Sequence, residues 1–243
     1  MFRFVEKLSA KNRDPYGAPP VTAVFLGDSV TQGCFECYFD ESGTVQTRFD
    51  ADRSYPARFG EILNVLYPAA GVHVINSGVS GDSATGGVER FARDVAAFSP
   101  DLVVVSYGLN DSCLGPDGLS RYEAGLGELF DRTAALGAEC VYLTENTMCY
   151  KVSCHLEDEP SRRLAKTFSR LQNDGTVHAY FEAGKRVAAS RGVTVCDLHG
   201  VWETLEQNGV DTTELLANRF NHPVRIFHRY VAARLVETLF GVR

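Results

Sequence analysis

At 243 residues, with 44% hydrophobic and 11% aromatic side chains, the chain carries enough apolar mass for one sizeable core, and a single α/β domain is the default reading. A formal charge of -7 with scattered lysines and arginines excludes the basic field of a nucleic-acid or anionic-membrane binder, so a small neutral partner is expected. No run approaches the ~18 apolar residues of a membrane span, and no stable membrane association is expected.

The opening stretch, MFRFVEKLSAKNRDPYGAPP, sets Arg3, Glu6 and Lys7 among its apolar positions, unlike the unbroken core of a secretory leader. A cytoplasmic protein is the expectation. Residues 1–20 read as an N-terminal extension, whose Phe2, Phe4, Val5 and Leu8 suit packing on this domain or on a neighbour, and residues 21–243 as one domain.

Apolar, β-branched runs recur at 21–27, 72–78, 101–108, 139–146 and 193–198, each short enough for a buried strand. Helical spacing separates them at Ala57–Leu66, Val88–Phe98, Tyr122–Leu136, a long stretch near 161–190, and Val224–Leu239. This alternation predicts a three-layer α/β/α sandwich around a five-stranded parallel sheet. Ligands of such sheets sit beyond the carboxyl ends of the strands. The polar turns Gly27-Asp28-Ser29, Gly78–Ser83 and Gly108–Asp111 each follow a predicted strand and should open onto one edge.

Cys34–Ser54 is the longest piece without periodicity and carries Phe35, Tyr38, Phe39 and Phe49; Met148–Pro160 is a second irregular stretch. Both read as binding walls or as surface insertions. The seven cysteines, at 34, 37, 113, 140, 149, 154 and 196, are odd in number and argue against a disulfide framework. Cys34 and Cys37 with Cys149, Cys154 and His155 have the atom types of a metal site, but the second spacing does not fit a zinc knuckle, so no metal is expected.

A serine after a strand needs a base, oxyanion donors and a group that orients the base before it is a nucleophile. Ser29 has candidates for each. Backbone amides near Gly81 and the carboxamide of Asn110 are donors, and His222, just before Pro223 at the mouth of the last helix, is a base.

The blocks GDSVTQG (27–33), NSGVSGDS (76–83), GLND (108–111) and HPVRIFH (222–228) resemble, in order, the four blocks of the SGNH hydrolases, also called GDSL-type esterases and lipases. The resemblance implies a flavodoxin-like sandwich with Ser29 as nucleophile and His222 as base. It also implies an oxyanion hole from the Ser29 and Gly81 amides and the Asn110 side chain, with no cofactor. Asp28 and Asp111 read as turn-shaping residues.

One position departs from that pattern: the acid usually found three residues before the histidine is replaced by Arg219. In a triad built around its acid, losing that charge costs ~10⁴ in turnover. Three explanations stand. The enzyme works as a Ser–His dyad, its imidazole oriented by a backbone carbonyl or the amide oxygen of Asn218; Asp211 or Glu214 reaches the ring; or the protein is inactive. The first is favoured, because nucleophile, donors and base are retained together.

The expected activity is hydrolysis of a carboxylic ester through an acyl-serine. Short acyl groups, such as acetyl on a carbohydrate, are favoured over lipid chains because no extended apolar segment is present. The alternatives are a lysophospholipase or lipase acting on longer chains, and a catalytically impaired binder that uses Arg219 to hold an anion. A nucleotide binder is disfavoured, since GVSGDSATGG lacks the dinucleotide fingerprint after the first strand.

Overall fold

Every apolar run expected to be a strand forms one, and the five lie parallel in a single sheet. The structure, a computed structural model, describes residues 2–242. Its elements in chain order are α1 (Arg3–Arg13), β1 (Thr22–Gly27), α2 (Ser29–Gln32), β2 (Cys34–Phe39), β3 (Val45–Phe49), α3 (Tyr55–Leu66), β4 (His73–Gly78), α4 (Ala84–Asp94) and β5 (Leu102–Ser106). They continue with α5 (Leu109–Ser112), α6 (Leu119–Ala135), β6 (Glu139–Leu143), α7 (Glu159–Asn173), α8 (Thr176–Ser190), β7 (Thr194–Cys196), α9 (Leu198–Gln207) and α10 (Arg225–Phe240).

The sheet order β4-β1-β5-β6-β7 is that of a flavodoxin-like doubly wound fold, with β1 at the switch point between β4 and β5. The residues of β1 and β5 are all buried, as expected of strands covered on both faces. On one side α3 packs against α10; on the other α4 packs against α6, and α6 against α8. Phe25 of β1 meets Phe59 of α3 edge-on at 5.2 Å.

Residues 3–13 join this core. Phe4 and Leu8 are fully buried, Phe4 stacks on Phe59, and the Glu139 carboxylate accepts the amides of Arg3 (2.9 Å) and Phe4 (2.7 Å) at the start of α1.

Three local differences from the sequence reading have physical causes. The segment 161–190 is two helices, because Gly175 takes the left-handed backbone (φ 83°) and ends α7 before α8 begins. The irregular stretch after Cys34 contains an antiparallel hairpin, β2–β3, whose register shifts between Cys34 and Cys37; that bulge breaks the alternation by which a strand is read. Pro223 is not a first helical residue: it forms an isolated bridge with Leu216, and α10 starts at Arg225.

Candidate active site

The site is built by register. Gly27 lies level with Gly78 on one side and Ser106 on the other, so β1, β4 and β5 end flush and their turns meet at one edge. Gly78 has no room for a side chain: a Cβ there would come within 2.2 Å of the Gln32 backbone nitrogen, since α2 rests directly on the end of β4.

Arg90 of α4 pins this edge. Its buried guanidinium donates to the carbonyls of Gly27 (2.9 Å) and Ser77 (2.7 Å), to the Tyr107 hydroxyl (2.7 Å), and to the carboxylates of Asp82 (2.7 Å) and Asp94 (2.9 Å). The five acceptors lie at the ends of β1 and β4, in the turn after β4, at the end of α4 and just past β5, so one side chain ties the three turns together.

Ser29 opens α2. Asp28 caps that helix, accepting the Val30 amide at 2.9 Å, and Gly33 closes it in the left-handed region. The Ser29 hydroxyl donates to Nε2 of His222 at 2.9 Å. Both residues are almost wholly buried, Ser29 4% and His222 5% exposed, so the pair works in a site from which most water is excluded. Nδ1 faces the carbonyl of Phe35 at 3.3 Å, a group that can only accept, so the ring hydrogen of the neutral imidazole lies on Nδ1 and Nε2 accepts from the hydroxyl; Sγ of Cys37 lies 3.7 Å from Nδ1.

Asn218 does not orient the ring as expected. Its amide oxygen accepts three backbone amides, of Phe220, Asn221 and His222, each at 3.0 Å, so it shapes the loop that carries His222 and is not hydrogen-bonded to the imidazole. Asp211 and Glu214 do not reach the ring either: Asp211 pairs with Lys151, and Glu214 with Arg219 and the Ser153 hydroxyl. Met148–Pro160 backs this loop, the Cys149 amide donating to the Phe220 carbonyl at 2.7 Å.

The expected oxyanion donors lie on the adjoining turns. Gly81 takes φ 80°, a conformation that favours glycine, and among the described residues neither its amide nor that of Ser29 is hydrogen-bonded to a protein acceptor. Asn110 differs: its amide nitrogen donates to Asp28 Oδ2 and to the Asp82 carbonyl, both at 2.9 Å, which occupies both hydrogens. It ties the three turns together here, and donation to an oxyanion requires one of those bonds to be shared or exchanged.

A buried acid pair lies behind the serine turn. Burial raises the carboxyls of Asp28 and Glu145, Glu145 well above its ordinary value, and the charge of Asp28 adds to the cost of ionising Glu145. Asp28 collects two N–H donors, whereas Glu145 accepts the Leu109 amide at Oε2 and has no donor at Oε1. Asp28 is therefore the charged partner and Glu145 keeps the proton. Asp111, pushed up to about 7 mainly by burial, accepts the Ala84 amide at the start of α4. His228 of α10 is held neutral by burial, its pKa lowered to about 3; it accepts the Tyr55 amide and packs on the Phe35 ring at 4.8 Å.

The sequence placed Phe35 in a possible binding wall and Cys37 in a possible metal set, neither as a partner of His222, and no spacing along the chain signalled Arg90 or Glu145. Cys149 and Cys154 do not join Cys34 and Cys37: Cys149 is buried with its thiol on the Ala165 carbonyl, and Cys154 is exposed.

A family model described as GDSL-like lipase/acylhydrolase matches residues 25–229, from β1 through the histidine loop into α10. An acetylxylan esterase from Geobacillus stearothermophilus is 28% identical over 158 residues, 61% of this chain and 68% of that protein. Among solved structures, a catalytic mutant of an acetylxylan esterase from the same organism superposes with a TM-score of 0.65 at 23% identity, covering 90% of this chain and 94% of its own. A two-domain esterase active on acetylated mannans gives a TM-score of 0.67 at 16% identity over 98% of this chain and 53% of that one. The chain belongs to the GDSL-like lipase/acylhydrolase family and is a carboxylic ester hydrolase of the SGNH type.

Proposed function

We propose that this enzyme removes short acyl groups, acetyl above all, from carbohydrate esters through an acyl-serine at Ser29. The observation that carries the assignment is the 2.9 Å hydrogen bond from the Ser29 hydroxyl to His222 Nε2, set beside two open backbone amides at the sheet edge. His222 takes the hydroxyl proton as Oγ attacks the ester carbonyl. The Ser29 and Gly81 amides receive the developing oxyanion, joined by Asn110 once its amide turns from Asp28 or the Asp82 carbonyl. The imidazolium then protonates the departing sugar oxygen, and the same ring activates water to release the acid. Asp28 stays outside the chemistry and fixes the turn.

Two features favour an acetylated sugar over a long acyl chain. A relative 28% identical over 158 residues is an acetylxylan esterase. The hairpin that supplies the Phe35 carbonyl also exposes the rings of Tyr38 and Phe49, flat apolar faces suited to stacking on a pyranose. The seven cysteines are all free thiols, which fits a reducing compartment, and we place the activity in the cytoplasm.

The test is hydrolysis of an acetylated xylo-oligosaccharide and of p-nitrophenyl esters of rising chain length by the wild type and by Ser29→Ala. Activity highest on acetyl substrates and lost in a folded Ser29→Ala variant is expected. Full activity in Ser29→Ala would refute the nucleophile, and faster turnover of long chains would refute the substrate class.

A further inference from the structure

We propose that Cys37, as a thiolate, supplies the negative charge behind His222 that the usual acid provides and Arg219 does not. This rests on the Ser29–His222 reading above and names the third member of that relay.

The hairpin brings the sulfur there. In a regular strand, residues three apart face opposite sides of the sheet. The register shift between Cys34 and Cys37 lifts that constraint, and both sulfurs lie with a His222 ring nitrogen inside a cluster in which no two of the three atoms are more than 4.8 Å apart. Cys37 Sγ is 3.7 Å from Nδ1, the nitrogen that carries the ring hydrogen when Nε2 accepts from Ser29.

The groups around Cys37 Sγ are donors. The orientation of the Asn218 amide is unambiguous, because three backbone amides hold its oxygen; its nitrogen therefore faces Cys37 Sγ at 3.6 Å as a donor. Nδ1–H of His222 is a second donor, and the Cys34 sulfur lies within 4.8 Å. A thiolate accepts from these two fixed donors far more strongly than a thiol sulfur does. The neighbouring Cys34 thiol, with His222 and Asn218, holds the Cys37 thiol below its ordinary range against the effect of burial, while Cys34 is pushed up by Cys37 and by burial. Among the described residues no carboxylate is hydrogen-bonded to the His222 ring, and Asp211 and Glu214 are paired elsewhere.

The two groups on Nδ1 then have separate work. The Phe35 carbonyl holds the tautomer and the ring plane. The Cys37 thiolate stabilises the imidazolium formed when Nε2 takes the Ser29 proton, and itself gains no proton in the cycle.

The test compares wild type, Cys37→Ala, Cys37→Asp and Ser29→Ala on p-nitrophenyl acetate, each checked for folding. Cys37→Ala is expected to lower kcat by roughly 10²-fold with KM little changed, less than the ~10⁴ lost when the tautomer is also wrong, because the Phe35 carbonyl remains. Cys37→Asp is expected to recover most of the loss, since it restores a charge that a packing role would not need. A second measurement needs no active variant: folded wild type should show thiolate absorption in the ultraviolet at neutral pH, below the ~8.5 of an ordinary thiol. The thiols of Cys113, Cys140, Cys149 and Cys196 are raised, mainly by burial, and stay silent there. Wild-type kcat in Cys37→Ala, an equal loss in the Ala and Asp variants, or no thiolate band in the wild type would overturn the proposal. Full activity in Ser29→Ala would instead overturn the serine reading on which it stands.

Discussion

Arg219 stands three residues before His222, yet its guanidinium turns away to Glu214, 3.1 Å from that carboxylate, and donates to the Glu214 carbonyl at 2.6 Å. The position that should carry the acid therefore points into the 212–215 turn and away from the imidazole. Its backbone takes φ 62°, a left-handed conformation that a short polar side chain tolerates as well as arginine does.

Restoring the familiar residue should consequently fail. Arg219→Asp is expected to leave kcat within about threefold of wild type, because the new carboxylate faces Glu214 and not Nδ1. Stability should fall by about 1–2 kcal/mol, from like charges replacing a half-buried pair. Ester hydrolysis and a urea melt of the variant decide it, and a tenfold rise in kcat would show that position 219 can reach the ring.

The Arg90 guanidinium gathers two carbonyls, a hydroxyl and two carboxylates at the edge where β1 and β4 end. Arg90→Met removes the cation and strips the Gly27 and Ser77 carbonyls of their guanidinium donor, while Asp94 keeps Arg93 and Asp82 keeps the Tyr107 hydroxyl, a loss of about 2–4 kcal/mol. Arg90→Lys should recover only part of it, since one ammonium cannot span the same fan of acceptors. Denaturant midpoints at unchanged m-value measure both. A loss below about 1 kcal/mol for Arg90→Met would mean that the turns hold their register without it.

Asp111 makes a prediction with a sign. Its carboxyl titrates near 7 when folded, against an ordinary 3.8, mainly because it is buried. Between those values the folded protein holds a proton that the unfolded chain releases, so stability falls as pH rises across the window and levels off above it. Asp111→Asn keeps an acceptor for the Ala84 amide and removes the titration. The variant should match wild type near the bottom of the window and exceed it at pH 8, by at most about 4 kcal/mol at roughly 1.4 kcal/mol per pK unit. Parallel stability curves for the two proteins would show that Asp111 is not the group responsible.

Much of this architecture is legible in the chain because parallel strands buried on both faces are short and apolar, and the length, β-branched content and flanking turns of VTAVFLG and DLVVVSYG favour a strand over a buried helix. Ser29, Gly81 and Asn110 follow from the same logic, as polar turns at the ends of neighbouring strands. The half-exposed hairpin at 34–49 escaped that reading, since its bulge destroys the period of two. So did the break at Gly175 and the use of Asn218, whose amide serves equally well to orient a ring or to hold a loop until its partners are known.

By itself the sequence determined the fold class and the sheet edge that carries the polar turns, because these depend on periodicity and on residues next to strand ends, while the pairing of Ser29 with His222 was read from the resemblance of four short blocks to the SGNH hydrolases. Only the tertiary structure decided what stands behind His222. The groups on Nδ1 come from Phe35 and Cys37, 187 and 185 residues away along the chain, and contacts at that separation depend on how the hairpin packs over the histidine loop rather than on any local pattern.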